Sequence, residues 1–166
     1  MFKKIFIILV ATFIFAQYIN VSHGAGGDSG GTDNYSDPYK QASKLVKRAK
    51  KLEKKNKTER ATKLYSQALE QLKQAYKADR NNPDILNYMG FTSRKSGNFN
   101  EAEKFYLKGL SLDPKHNGIN EYLGELYVQT NRIEKAKERL AVLKNCGCKE
   151  FQELELIIKT RGSKIY

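Results

Sequence analysis

Apolar and small residues recur along this chain with a period of thirty-four residues. Counted from Pro83, fixed offsets carry Leu86, Met89, Gly90, Gly97, Phe99, Ala102, Tyr106, Gly109 and Pro114. Counted from Asn117, the same offsets carry Asn120, Leu123, Gly124, Asn131, Ile133, Ala136, Leu140, Leu143 and Cys148. A period of this length is typical of a supersecondary unit that buries its apolar face only against neighbouring copies. The chain is therefore predicted to form a stack of similar units.

Each unit has the pattern of a helix, a turn and a second helix. Asn82 is a favourable N-cap residue and Pro83 suits the first helical position. Gly97 can adopt the positive φ that ends the first helix, and Asp113-Pro114 stops the second. The small residues Gly90 and Ala102 are expected where two helices approach closely.

These residues resemble a tetratricopeptide repeat. The family pattern has small residues at positions eight and twenty, Gly at fifteen, an aromatic at seventeen and Pro at thirty-two, here Gly90, Ala102, Gly97, Phe99 and Pro114. The second unit keeps Leu123, Gly124, Tyr127 and Ala136, and departs at Asn131, Leu143 and Cys148. Asn131 replaces a Gly mildly, because Asn also adopts the left-handed conformation. The resemblance implies an all-α solenoid of about three antiparallel helix pairs with a C-terminal capping helix.

Outside the two clear repeats the pattern is weaker. Residues 37–82 are predicted to be a degenerate, basic first helix pair, followed by repeat units at 83–116 and 117–148. In the first pair, Asp37-Pro38 begins a helix, residues 56–58 form the turn, and Thr58 is expected to cap the next helix. Residues 149–166 are predicted to be the capping helix and a tail, with Phe151, Leu154, Ile157 and Ile158 facing inward.

The N-terminal residues 1–24 have the pattern of a signal peptide. Two lysines precede an apolar run of about a dozen residues, and Ser22 and Gly24 are small where a signal peptidase reads the chain. Cleavage near Gly24 would place the protein in the periplasm or cell envelope; the alternative is an uncleaved anchor. Residues 25–36 are rich in Gly, Ser and Asp and are predicted to form a flexible leader.

The positive charge is concentrated in one segment. Residues 40–77 hold thirteen basic and three acidic residues, so +10 of the formal +12 lies there, including the basic patch Lys47, Lys50, Lys51 and Lys54. This surface is either an ordinary solvated helix face or a site for an acidic partner or an anionic membrane surface. Nucleic acid is not an expected partner, since interleaved surface aromatics are missing and the chain carries an export signal.

The chain has two cysteines, Cys146 and Cys148, separated by Gly147. In an oxidising compartment they are candidates for a structural disulfide. Free or intermolecular thiols and a redox role remain alternatives. A metal site would need His116 as a further ligand and lacks a fourth, so no metal is expected.

The sequence contains no motif that indicates catalysis. HExxH, GxSxG, P-loop and GxGxxG patterns do not occur. The chain is therefore predicted not to be an enzyme and to need no cofactor.

The resemblance implies that the first helix of each unit lines a concave groove. On that basis Asn87, Phe91, Arg94, Glu121 and Glu125 are the candidate partner-binding residues. Phe91 is either an exposed anchor or packed beneath the first unit. Asn87 and Phe91 stand where the family's carboxylate clamp has Lys and Asn, so that specificity is not expected.

The expected function is therefore an exported scaffold or adaptor that binds a protein or peptide. The alternatives are an envelope-associated assembly factor with a basic surface, and a redox accessory protein that uses the cysteines.

Overall fold

The computed structural model describes residues 37–162, and this part of the chain consists of helices and turns without a β-strand. The helices are α1 (Pro38–Glu53), α2 (Thr58–Ala78), α3 (Pro83–Lys95), α4 (Phe99–Leu112), α5 (Asn117–Gln129), α6 (Ile133–Leu143) and α7 (Lys149–Lys159). Helices α1 and α2, α3 and α4, and α5 and α6 form pairs that stack in chain order, and α7 packs against α5 and α6. The predicted all-α solenoid of helix pairs is confirmed.

Side-chain caps fix where three helices begin. The Asp37 carboxylate accepts a hydrogen bond from the Tyr39 amide at 2.9 Å, and Asn82 accepts from the amide of Asp84 at 3.0 Å. His116, which sequence patterns did not single out as a cap, accepts from the Ile119 amide through Nδ1 at 3.2 Å and so begins α5. The prediction for Thr58 was wrong, because Lys57 is the N-cap residue of α2 and makes no side-chain cap bond.

Residues with positive φ make the turns inside the helix pairs. Gly97 has φ of 83° and Asn131 has φ of 57° at the equivalent point of the next unit. Asn56 has φ of 55° in the first pair. The replacement of Gly by Asn therefore keeps the turn, because Asn tolerates the left-handed region better than other non-glycine residues.

Small residues allow the helices to pack closely. A Cβ atom at Gly90 would collide with the ring of Tyr106, which is fully buried on α4. At the equivalent position of the next unit, a Cβ at Gly124 would meet Leu154 of α7. The capping helix thus covers the third unit in the place where a further repeat would lie, and Leu154 and Ile157 are its fully buried residues.

A disulfide bond between Cys146 and Cys148 lies in the connection between α6 and α7. Gly147 between them has φ of 62°, a backbone conformation that glycine adopts without steric cost. The bond closes a ring of only three residues, so loop-closure entropy gives it a stabilising contribution of about 1.6 kcal/mol.

The predicted signal peptide and leader at residues 1–36 lie outside the described residues. Among the helices at 37–162, none combines the length and the apolar composition that a membrane span requires.

The packing of Ala102 gives a direct test of the helix-pair interface. Ala102 is fully buried on α4, so Ala102→Leu should lower the free energy of unfolding by roughly 1–3 kcal/mol through overpacking. Lys104→Leu places the same side chain on the exposed face of α4 and should change the free energy of unfolding by less than about 0.5 kcal/mol. Urea denaturation measures both variants, and equal effects would contradict the interface described here.

Candidate functional site

Two cavities lie on the side of the stack that α1, α3, α5 and α7 line. The larger, of about 470 Å³, is lined by Lys50, Glu53, Lys54, Phe91, Lys95, Glu121, Tyr122, Glu125, Lys149 and Glu153. The smaller, of about 240 Å³, is lined by Val46, Lys50, Asn87, Tyr88, Phe91, His116, Gly118, Glu121, Tyr122 and Glu150. They share Lys50, Phe91, Glu121 and Tyr122, and together they are called the groove below.

The floor of the groove is aromatic. The Phe91 ring packs between Tyr65 and Tyr122, with centroid distances of 5.7 and 5.0 Å. Phe91 is only 3% exposed, so its interpretation as an exposed anchor was wrong. Tyr65 on α2 and Tyr122 on α5 cover the ring from two neighbouring units, so little of it faces the cavities.

The Lys50 side chain reaches over this floor from α1. Its ammonium nitrogen lies 4.6 Å from the centroid of the Phe91 ring, a cation–π distance. Burial lowers the pKa of Lys50, while Glu121 and Glu125 act in the opposite direction. Lys50 is exposed as a residue, but its ammonium group lies over the Phe91 ring in the groove.

Arg94 and Glu125 form a buried ion pair under the groove. They are 2% and 3% exposed, and the distance from Arg94 Nη2 to Glu125 Oε2 is 2.5 Å. Arg94 Nη1 also donates to Gln129 Oε1 at 3.2 Å. Burial raises the pKa of Glu125, and the Arg94 guanidinium opposes that rise. Arg94 and Glu125 are therefore engaged with each other beneath the groove.

Glu121 is buried in the groove without such a cation. It is 4% exposed and lies one helical turn before Glu125 on α5. Burial raises the pKa of Glu121 to about 9, and a hydrogen bond with Glu153 and the charges of Glu125 and Glu150 act in the same direction. Glu121 is therefore protonated at neutral pH.

Asn87 adds a polar group to the smaller cavity. It is 8% exposed, and its side-chain oxygen is buried without a hydrogen-bond partner among the described residues. Gly118 makes room for it, since a Cβ there would lie 2.8 Å from Asn87 Nδ2. The side-chain oxygen of Asn87 is therefore an unpaired acceptor in the wall of the smaller cavity.

The basic patch divides between two surfaces. Lys50 and Lys54 line the groove, whereas Lys47 and Lys51 are exposed on α1 outside both cavities. Sequence reasoning missed several further lining residues, namely Glu53, Lys95, Tyr122, Lys149, Glu150 and Glu153. The lining residues on α7 could not be predicted from the thirty-four-residue period. Helix α7 begins thirty-two residues after α5 (149 − 117), whereas α5 begins thirty-four residues after α3 (117 − 83).

No three His, Cys, Asp or Glu side chains within residues 37–162 are grouped in a way that would hold a metal ion.

Family comparisons agree with this architecture. Residues 93–147 match the tetratricopeptide repeat family, and residues 39–89 match the MIT (microtubule interacting and transport) domain. The first match covers two of the helix pairs in part, and residues 93–147 are therefore similar to tetratricopeptide repeats (TPR). The second match falls mainly on the helix pair in which the repeat pattern is degenerate. No curated protein is significantly similar to the chain.

Several solved structures are similar in fold. The Yersinia enterocolitica type III secretion translocator chaperone SycD is 16% identical, with a TM-score of 0.50 over 83% of this chain and 94% of that chain. The second TPR domain of human RPAP3, solved with an HSP70 peptide, is 23% identical, with a TM-score of 0.46 over 74% and 98%. The Sgt2 TPR domain from Aspergillus fumigatus is 21% identical, with a TM-score of 0.47 over 72% and 78%.

The protonated Glu121 predicts a pH-dependent stability. The unfolded chain releases this proton near the ordinary value of 4.5, and the folded chain holds it up to about pH 9. Between these values the folded state binds more protons, so this group lowers stability as pH rises. Glu121→Gln should therefore gain stability over the wild type by up to about 1.4 kcal/mol per pH unit in that window.

Denaturation at a series of pH values measures the difference. Glu134→Gln is the control, because it removes an exposed carboxyl group of α6 rather than a buried one. A difference for Glu121→Gln that stays constant between pH 5 and 8 would contradict the assignment.

Proposed function

We propose that this protein is a binding module without catalytic activity that holds a segment of a protein or peptide in the groove. The observation that carries the proposal is the groove itself, in which side chains from four helices surround an aromatic floor. Charged groups at the rim and apolar rings at the centre are the composition of many peptide-binding surfaces.

The arrangement of charge supports an oriented segment. Lys50 and Lys54 lie on the α1 side beside the Lys95–Glu53 ion pair, and the carboxyl groups of Glu121 and Glu153 lie with Lys149 on the α5 and α7 side. A bound segment with acidic residues toward α1 and basic residues toward α7 is complementary to both sides. Charge complementarity of this kind determines register and association rate more than affinity.

The peptide in the RPAP3 structure is not a proposed ligand of this chain. Asn87 and Phe91 stand where the family's carboxylate clamp has Lys and Asn, and Phe91 is covered by neighbouring rings. The expected partner therefore binds along the groove rather than by a terminal carboxylate alone.

A random twelve-residue peptide display library, selected on the purified protein, tests the binding proposal. Lys54→Glu should weaken the selected peptides by roughly 1 kcal/mol, about five-fold, because Lys54 lines the groove. Lys51→Glu, a matched reversal on the same helix outside the groove, should leave affinity nearly unchanged. Fluorescence anisotropy of labelled peptides measures both.

Two other results contradict the groove proposal. Failure to select any peptide is one. The other is an equal loss of peptide affinity in both lysine variants, combined with binding of the protein to anionic vesicles. That result would favour the basic surface of α1 as the functional site.

We also propose that the chain is exported, on the basis of the basic and apolar pattern at residues 1–24. The mature protein should then begin near Ala25, and mass spectrometry of protein recovered from its native cell measures this. An intact Met1 in a cytoplasmic fraction would contradict export and leave the groove proposal unaffected.

A further inference from the structure

We propose that the end of the groove formed by Glu121, Glu150 and Glu153 is a subsite for a lysine or arginine side chain of the bound segment, and that Asn87 accepts a hydrogen bond from the same segment. This inference rests on the proposed function, since it names the chemistry of the segment that the groove binds.

The first argument is the imbalance of charge at this end. Glu121 and Glu125 on α5 face Glu150 and Glu153 on α7. Glu125 is neutralised by Arg94. In the described part of the chain, the other three carboxyl groups form no ion pair within 4.0 Å. Lys50 acts on Glu121 only from a longer distance. A cation supplied by a partner would therefore meet carboxyl oxygens that no cation of the described residues engages in a close ion pair.

The second argument is the shape and chemistry of the space beside Glu121. Glu121 lines both cavities, and the rings of Phe91 and Tyr122 line the same two cavities. A carboxyl group next to aromatic faces suits a guanidinium or ammonium group, which gains from both.

The cations already near this space do not fill the subsite. The Lys50 ammonium stacks on Phe91, and Lys95 Nζ is bound to Glu53 Oε1 at 2.9 Å. Lys149 at the start of α7 lines the larger cavity, and it forms no ion pair within 4.0 Å in the described residues. The carboxyl of Glu121 instead shares a hydrogen bond with Glu153.

The third argument is independent of charge. The Asn87 side-chain oxygen is buried and unpaired in the smaller cavity, which Glu121 and Glu150 also line. Buried acceptors are nearly always satisfied in folded proteins. A backbone or side-chain N–H of the segment would satisfy this one while a neighbouring basic residue reaches Glu121.

Binding of a cation changes the proton balance of the site. Glu121 holds a proton in the free protein at neutral pH because its pKa is raised to about 9. A cation beside it stabilises the carboxylate, so the proton passes to the buffer as the ion pair forms. Each bound segment should release close to one proton at pH 7.

The experiment uses a display-selected peptide and its derivative in which each arginine is replaced by citrulline and each lysine by norleucine. Calorimetric titrations at pH 7 in two buffers of different ionisation enthalpy give the affinity and the number of protons released. The inference expects a basic residue in every selected peptide, a loss of about ten-fold in the derivative, and release of about one proton by the wild-type protein.

Variants locate the effect. Glu121→Gln should abolish proton release and weaken the peptide, and Glu153→Gln should weaken it as well. Glu155→Gln, on the same helix but outside the groove and paired with Lys159, should behave as the wild type. Circular dichroism confirms that each variant is folded.

The outcomes separate the two proposals. Peptides that bind without a basic residue, or whose neutral derivatives bind equally well with no proton release, would overturn the subsite and leave the groove function standing. The absence of any binding peptide would overturn both.

Discussion

The buried guanidinium of Arg94 is the constraint on which the concave side of this protein depends. A cation removed from water needs a counter-charge and further acceptors, and Glu125 and Gln129 on α5 supply them to Arg94 on α3. Because the partners belong to successive units, the pair fixes how one unit sits on the next. Removing one member of such a pair costs about 3–5 kcal/mol, since the other is left buried and uncompensated.

Glu121 lies one helical turn before Glu125 on α5 and has no ion-pair partner of this kind in the described residues. Its carboxyl group is as well buried as that of Glu125, yet it forms no ion pair within 4.0 Å in the described residues, and the carboxyl groups of Glu153, Glu125 and Glu150 raise its pKa. The same helix thus carries one acid that stabilises the stack and one that remains protonated at the edge of a cavity. Buried groups whose charge is unbalanced in this way are concentrated at functional sites.

The fold could be predicted from the sequence, because Asn82-Pro83 indicates the start of α3 and Asp113-Pro114 indicates the end of α4. Gly90 indicates the point at which α3 and α4 pack closely. The sequence was also sufficient for the direction in which Phe91 and Glu121 point. It could not give their burial, because α1 begins forty-five residues before α3 (83 − 38) and α7 thirty-two after α5. The thirty-four-residue period therefore does not predict which side chains of α1 and α7 cover the groove.

Helix α7 closes one side of the groove although it is the last helix described. It packs against α5 and α6, and it contributes Glu150 and Glu153 to the lining. In repeat stacks, end helices detach locally at a lower free energy than the whole stack unfolds. The disulfide between Cys146 and Cys148 joins two residues of the connection before α7 and does not tie α7 to another helix. One wall of the groove therefore depends on the packing of a helix outside the three pairs, which Leu154 and Ile157 bury against its neighbours.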